Sequence, residues 1–269
     1  MKSILLHIAH DRGTDARVEA ALSVAHSYNG HVNCINVTPH DFLLTGDPLG
    51  PAATMPVVVD DVRRREEELR DRIEGRLRRE GVSWEWRQLS GIPQQMIVEQ
   101  SRLADLIVMS LPGAAGAFAV PPASMTGTVA IHARAPVLAV PTEGGSLKLV
   151  GPALVAWNGS QESAHALRLA LPMLRLASVV HIVTISDTPL DFPPAEASRY
   201  LARHNVLSQM HEWPHSGKSV ADALLDAAAS MQCGYIVMGA YGRPRVLEAV
   251  FGGVSRDLLH GSTPLVLAH

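Results

Sequence analysis

Short apolar runs of strand length alternate with longer amphipathic stretches along the whole chain. This alternation is typical of parallel βα units, in which a helix connects each strand to the next. In the first half, the pattern predicts strands at 3–9, 31–37, 82–89, 105–110 and 136–140. The helices predicted in this half span 14–28, 58–80, 93–103 and 125–133.

The second half repeats the alternation. Its predicted strands are 152–157, 179–185, 206–212, 234–239 and 264–268, and its predicted helices are 160–176, 194–204, 217–231 and 253–261. The stretch Glu143-Gly144-Gly145-Ser146 is typical of a linker. We therefore predict two domains, at 1–142 and 150–269.

The two halves also match each other in sequence, which indicates an internal duplication of a unit of about 130 residues. A repeat of this length is a domain rather than a solenoid element. The segment 106–113 lines up with 235–242, the strand 136–140 with 264–268, and His7–Asp11 with Leu154–Asn158.

The candidate binding chemistry lies in the second half, where a buried strand ends in a glycine-bearing loop. Gly239 and Gly242 are followed by Gly252, with Val254 and Ser255 behind it. Glycines at this spacing let backbone N–H groups approach an anion, and the helix predicted to start there adds unpaired N–H groups and the positive end of a dipole. The pattern predicts a phosphate site that needs neither a metal nor a dedicated lysine.

The equivalent loop of the first half has lost parts of this pattern. Ser110 replaces the first glycine and Ala123 the third, and no basic residue lies in 114–122. Pro121 and Pro122 lack N–H donors. We expect the first half to bind nucleotide weakly or not at all, although Ser124, Thr126 and Asp11 retain polar side chains.

These motifs resemble the universal stress protein family in its tandem two-domain form. The resemblance rests on Gly239-x2-Gly242-x9-Gly252 with Val254-Ser255, on Val155-Ala156-Trp157-Asn158-Gly159-Ser160, and on the Pro-led final strands. It implies two Rossmann-like or flavodoxin-like α/β domains, each with a five-stranded parallel sheet of order 3-2-1-4-5 flanked by helices. Ligands of such sheets bind beside the first and fourth strands, where the strand order reverses.

The resemblance further implies ATP in the second-half cleft, with or without Mg²⁺, and ADP or AMP as alternatives. Two residues depart from the family pattern, since Gly253 stands for a Ser or Thr and Asn158 for an Asp. The implied adenine side is Ala156, Asn158 and Ile185, and the implied phosphate and ribose side is Met238, Gly239, Gly242, Arg243, Gly252, Gly253, Val254 and Ser255.

The composition and the terminal pattern limit which partners and which cellular compartment we expect. A net charge of −3 gives no general attraction to nucleic acid or to anionic membranes. The 58–80 helix balances its bases with acids, so we expect it to be solvated and paired within itself. No apolar run is long enough for a membrane span, and the N-terminus lacks the pattern of a signal peptide. Cys34 and Cys233, at similar places in the two halves, are predicted to be buried free thiols of a cytoplasmic protein.

No catalytic or metal motif stands out. The 13 histidines show no ligand spacing, although zinc on a subset stays open as an alternative. Ser216-Gly217-Lys218-Ser219 lacks the upstream glycine of a P-loop and is predicted to begin a helix. We therefore expect a regulatory or protective stress protein, not a true enzyme, with at most slow ATP hydrolysis.

Two other classes remain as alternatives on the same fold. One is an interaction or small-ligand-binding protein without nucleotide, in which the apolar 38–57 stretch covers a hydrophobic ligand. The other is an adenylating or ATP-hydrolysing enzyme. Partners expected besides the nucleotide are an unidentified protein and a second copy of the chain, in addition to pairing of the two halves through their last strands.

Overall fold

The computed structural model describes residues 1–39, 55–111, 125–142, 146–185, 189–214, 217–240, 254, 258 and 261–269. In the first half the strands are β1 (Ser3–Ile8), β2 (His31–Thr38), β3 (Ser83–Ser90), β4 (Leu106–Ser110) and β5 (Val137–Val140). The helices are α1 (Thr14–Tyr28), α2 (Met55–Arg79), α3 (Pro93–Gln100) and α4 (Met125–His132), with a 3₁₀ turn at Ser101–Leu103.

The second half has the same order of elements. Its strands are β6 (Ala153–Ala156), β7 (Val180–Thr184), β8 (Ser208–Glu212), β9 (Ile236–Gly239) and β10 (Leu265–Ala268). Its helices are α5 (Gln161–Leu174), α6 (Pro194–Arg203) and α7 (Val220–Ser230). The helix predicted at 253–261 lies largely outside the described residues, as do most of the 38–57 stretch and the linker glycines.

All ten strands join one sheet, in the order β3-β2-β1-β4-β5-β10-β9-β6-β7-β8. Each half is parallel and keeps the predicted order 3-2-1-4-5, which confirms the two Rossmann-like α/β units. The two last strands, β5 and β10, pair antiparallel with Val266 opposite Leu138. The expected pairing of the halves through these strands is therefore confirmed. The domain bounds 1–142 and 150–269 stay a prediction.

Helices cover both faces of the sheet, and each face has one core that runs through both halves. The first core packs α1, α2, α5 and α6 against the sheet, and the second packs α3, α4 and α7. Across the two halves, the Tyr28 hydroxyl in α1 donates to the carbonyl of Pro172 in α5. No described helix is both long and apolar enough to cross a membrane.

The charged helix α2 packs more closely than its sequence suggested. Leu69, Ile73 and Leu77 are buried on one face. Glu74 pairs with arginines four residues away on either side, as expected for self-pairing. Arg72, however, reaches Asp15 in α1 at 2.6 Å, so the helix is tied to its neighbour as well as to itself.

The register of the strands corrects the alignment of the two halves at their first strands. Leu6 lies opposite Val108, and Val155 lies opposite Val237. Because 106–113 matches 235–242, Val108 and Val237 are equivalent, and so are Leu6 and Val155. The predicted match of His7–Asp11 with Leu154–Asn158 is therefore wrong by two residues within the strands.

A difference in loop length causes this error. The corrected register pairs Ile8 with Trp157, and α1 begins six positions after Ile8 whereas α5 begins four positions after Trp157. The two additional residues lie between Ile8 and Asp11, so the loop ends still correspond. Asp11 and Asn158 each lie three positions before their helix, and each accepts the backbone N–H of the residue two positions on, from Gly13 at 2.9 Å and from Ser160 at 3.1 Å.

The cysteines are free, but they are not equivalent. Cys34 lies inside β2 and is fully buried, whereas Cys233 precedes β9 and is only partly buried. Their expected similar placement is wrong. Burial raises the pKa of both thiols, to about 12 for Cys34, where Glu74 and Glu85 add to the effect, and to about 11 for Cys233.

Candidate functional site

The second-half cleft lies where the strand order reverses. β6 and β9 are adjacent and parallel, with Val155 opposite Val237. The next strand after β6, which is β7, lies on one side of this pair, and the next strand after β9, which is β10, lies on the other side. β6 ends at Ala156 and β9 at Gly239, so the loops that follow both strands leave from the same edge. Open α/β sheets place ligands at such an edge.

Gly239 lies directly against the first turn of α5. A Cβ atom at this position would stand 2.6 Å from the carbonyl carbon of Glu162 and 2.7 Å from the backbone nitrogen of Ser163. Its φ angle is not in the left-handed region. The glycine is therefore required by the close approach of strand and helix, which holds the N-terminus of α5 at the end of β9.

Polar groups line the loop between β6 and α5. Asn158 is exposed, and its Oδ1 accepts the backbone N–H of Ser160 at 3.1 Å. Ser160 is the N-cap of α5, and its Oγ accepts the N–H of Ser163 at 3.2 Å. The side-chain NH₂ group of Asn158 is left as a hydrogen-bond donor at the mouth of the cleft.

Apolar predicted residues lie on one side of this edge. Ala156, Ile185 and Val254 are half-buried against the same core cluster that contains Met238. These four residues thus pack on the same face of the sheet, and their grouping in one binding site stays a prediction. Five predicted members, Gly242, Arg243, Gly252, Gly253 and Ser255, lie outside the described residues.

A segment that sequence reasoning missed crosses the same loop. The carbonyl oxygen of Phe192 accepts the indole N–H of Trp157 at 3.1 Å, and the two rings are 5.9 Å apart. Gly159 has φ +74°, and a Cβ there would stand 2.8 Å from that carbonyl oxygen. The sequence carried one signal for this contact, the glycine that follows Trp157 and Asn158. Glycine is the residue that adopts a positive φ angle without strain.

The equivalent edge of the first half holds a buried arginine. Arg17 in α1 is 1% exposed, and its guanidinium donates to the His7 carbonyl at 2.7 Å, to Ser110 Oγ at 2.6 Å and to Thr14 Oγ1 at 2.7 Å. Asp11 supplies the counter-charge at 3.1 Å. The side chain is therefore fully engaged between the ends of β1 and β4.

Gly13 makes room for this arrangement. A Cβ at Gly13 would stand 2.3 Å from Ser110 Oγ and 3.2 Å from a guanidinium nitrogen of Arg17. Burial lowers the pKa of Arg17, and the nearby Asp11 opposes that shift. Sequence reasoning missed this cluster because an arginine in an amphipathic helix is ordinarily read as a surface residue.

His7 lies beside the cluster and is also buried. Its Nδ1 has no hydrogen-bond partner among the described residues. Burial, together with the positive charge of Arg17, lowers the pKa of His7 to about 3, against a smaller opposing effect of Asp11. The imidazole is therefore neutral at physiological pH. Its equivalent in the second half is Ala156, a small residue that leaves that position open.

The histidines form no metal centre in the described part of the chain, where no group of three or more His, Cys, Asp or Glu side chains is placed to hold an ion. His181 and His211 do meet, with Nδ1 and Nε2 3.0 Å apart. Burial and the neighbouring His211 lower the pKa of His181. At the P-loop look-alike, Ser219 caps α7 by accepting the N–H of Asp222, as predicted for a helix start.

Comparison with known proteins agrees with this architecture. The model of the universal stress protein family matches residues 1–141, which is more than half of the chain. The protein therefore belongs to the universal stress protein family. Comparison with curated protein sequences gives no match.

Two solved structures show the same fold over the whole chain, and a third matches about half of it. A universal stress protein from Archaeoglobus fulgidus is 17% identical, covers 98% of this chain and 95% of its own, and has a TM-score of 0.76. A Pseudomonas aeruginosa protein assigned to the same family is 17% identical over 100% and 93%, with a TM-score of 0.58. A universal stress protein solved in complex with cAMP is 19% identical over 53% of this chain and 98% of its own, with a TM-score of 0.35.

Proposed function

We propose that this protein is a tandem universal stress protein that binds an adenine nucleotide, ATP, in the cleft of its second half. The observation that carries the proposal is the contact of Gly239 with the first turn of α5. This contact brings the N-terminus of α5 against the end of β9, from which the chain continues into the predicted phosphate loop, and both features support a ligand site at the point of strand reversal.

The described residues suit the base and the ribose. Ala156 and Ile185 offer apolar surface beside the exposed Asn158. With Oδ1 engaged by Ser160, Asn158 presents its NH₂ group to acceptor atoms of the ligand. Backbone N–H groups of 239–242 and 252–255 would hold the phosphates, and Arg243 would offset their charge.

The first half serves as a structural or partner-binding copy in this proposal. Its strand-reversal point already contains Arg17, paired with Asp11 and bonded to three further oxygen atoms. A phosphate group gains little from a guanidinium whose donors are used inside the protein. Arg17 is the fourth residue of α1, and the fourth residue of α5 is Ala164. No arginine or lysine is buried among the described residues of the second half.

Calorimetric titration with Mg-ATP tests the proposal. The variant Gly242→Asp puts a carboxylate into the predicted phosphate loop, and Gly113→Asp makes the same change at the equivalent glycine of the first half. We expect wild type and Gly113→Asp to bind one ATP, and Gly242→Asp to lose binding by at least about a hundredfold through charge repulsion. Equal loss in both variants would contradict the placement in the second half.

A second function is favoured by the same glycine. The packing of Gly239 against Glu162 and Ser163 explains this residue without any ligand. An interaction or small-ligand-binding protein without nucleotide is the candidate that remains if Mg-ATP, ADP and AMP all fail to bind. A multi-turnover assay for ATP hydrolysis or AMP formation separates the ATP-binding regulator from an enzyme on the same fold.

Nucleotide occupancy would act through residues 240–251. We propose that ATP orders this segment, and that an unidentified protein partner in the cytoplasm then binds the altered surface in a stress response. A homodimer of the whole chain would add to the pairing of the two halves. Light scattering of the purified protein with and without Mg-ATP measures that association.

A further inference from the structure

A cavity of about 310 Å³ lies in the first half, away from the strand-reversal edge. It is lined by residues of β1, β2 and β3 and by the segment from the end of α3 through the 3₁₀ turn. Ser3 and Leu5 of β1 place it toward the amino-terminal end of the sheet, whereas the predicted nucleotide clefts lie at the carboxyl ends. Ligand cavities begin at about this volume, so the space suits a metabolite of small size.

The register of the sheet explains the floor of this cavity. Leu5 lies opposite Asn33, and Ile35 lies opposite Arg87, so these alternate residues share one face. Leu5 and Ile35 are each 1% exposed, so they close the bottom of the cavity with apolar side chains but offer a ligand almost no surface. Asn33 is held by its amide donating to Ser3 Oγ at 3.2 Å, which gives the wall beside the floor a fixed polar group.

Arg87 forms the far wall and is held in place. Its guanidinium reaches Glu85 at 2.7 Å and Gln100 Oε1 at 2.9 Å. These contacts join β3 to the end of α3 and fix one side of the opening. Because Glu85 balances the charge of Arg87, this pair contributes shape rather than net charge.

Two opposite charges on the rim remain without partners. Glu99 and Arg102 are three positions apart and both line the cavity. Neither makes an ion pair or a hydrogen bond within the described residues. Leu103, 90% exposed, completes the rim with an apolar side chain. The rim thus offers one free cation, one free anion and an apolar surface above an apolar floor.

We propose that this cavity binds an α-amino acid with an apolar side chain. Arg102 pairs with the carboxylate, Glu99 pairs with the ammonium group, and the side chain lies in the cavity against the exposed Leu103. A molecule with only one of the two charges leaves one rim residue unpaired. The site is separate from the nucleotide cleft, so the inference does not depend on the proposed ATP function.

Amide NMR of the full chain during titration with L-leucine tests the proposal. Two analogues each remove one charge: isopentylamine lacks the carboxylate, and 4-methylpentanoate lacks the ammonium group. We expect leucine to shift the amide signals of Ser3, Asn33 and Gln100 and to bind at least about tenfold more tightly than either analogue.

Two exposed-residue variants assign the charges. Arg102→Gln should weaken leucine and 4-methylpentanoate about tenfold and leave isopentylamine unchanged, and Glu99→Gln should do the reverse for the two analogues. Arg168→Gln, on α5 in the other half, is the matched control and should change nothing. Leucine that shifts no signal of the cavity, binds no more tightly than its analogues, or responds equally to Arg168→Gln overturns the proposal.

Discussion

The two halves share one topology but close the gap between their first and fourth strands in opposite ways. In the first half the glycine is on the helix side, where Gly13 makes room for Ser110 at the end of β4. In the second half it is on the strand side, where Gly239 makes room for Glu162 and Ser163 of α5. A close approach needs one small residue, and either partner can supply it.

This difference decides what else the gap can hold. In the first half the helix contributes Gly13 and the strand contributes Ser110. This combination accommodates the guanidinium of Arg17 and its counter-ion Asp11. Both halves have a helix N-terminus there, but the second half has Ala156 in the strand position of His7 and Ala164 in the helix position of Arg17. Of these two topologically equivalent clefts, one is internally satisfied and the other is, in our proposal, available to a ligand.

Removing the buried arginine should break the comparison most strongly. Arg17→Met keeps much of the volume but leaves Ser110, Thr14 and the His7 carbonyl without their donor. We expect a loss of about 3 kcal/mol in the free energy of unfolding, measured by urea denaturation. Arg72→Met is the control, because its ion pair with Asp15 is exposed and should contribute less than about 1 kcal/mol. Equal losses in both variants would show that the cluster is not a stabilising feature of the first half.

The neutral His7 should give the protein a pH-dependent stability. Its pKa is lowered to about 3 in the folded protein, whereas the unfolded chain protonates near 6.5. Between these values the unfolded state binds the extra proton, so stability falls as the pH falls from 6.5 toward 3. This one group contributes about 1.4 kcal/mol per pH unit within that window.

The substitution His7→Ala introduces the residue that the second half has at this position, Ala156. It should remove the contribution of His7 to the pH dependence of the free energy of unfolding. The measurement is the free energy of unfolding at pH 6 and at pH 5, compared with His26→Ala, which alters an exposed histidine. The slope should drop by about 1.4 kcal/mol per pH unit only in the first variant. An unchanged slope in His7→Ala would contradict the burial of a neutral imidazole in the native state.

A smaller effect tests the reciprocal placement of the glycines. Gly13→Ala brings a Cβ against Ser110 Oγ and should cost about 1–2 kcal/mol. Because φ at Gly13 is −87°, the cost comes from the contact and not from the backbone. In Gly13→Ala/Ser110→Gly the serine is removed, and the double variant should be more stable than the sum of the single changes predicts, by about 1 kcal/mol. Simple additivity would mean that the two positions do not share one contact.

The alternation of apolar and polar stretches was enough to predict the strands and most helix bounds, and the family resemblance implied the order of the strands within each half. Helix α1 matches its predicted span of 14–28, because Asn29 ends it in the left-handed conformation and β2 begins at His31. The pairing of β5 with β10 also followed from sequence, since two apolar strands at sheet edges need a partner.

What sequence could not supply depends on contacts between distant residues. The two-residue shift of the first strands is visible only in the register, because loop length changes leave no mark in a strand of uniform apolar residues. The burial of Arg17 depends on Gly13 and Ser110, which are 97 positions apart in sequence. The cavity of the first half combines three strands with a helix end, and no local pattern announces it.

The central claim is that the second half alone holds nucleotide, and the most direct test is to identify what the purified protein carries. Mass spectrometry of the ligand released on denaturation should find ATP or ADP at about one per chain in wild type and in Gly113→Asp, and none in Gly242→Asp. Nucleotide retained by Gly242→Asp at the wild-type amount, or lost only from Gly113→Asp, would contradict the account. It would show that the cleft containing Arg17, and not the one beside Gly239, is the binding site.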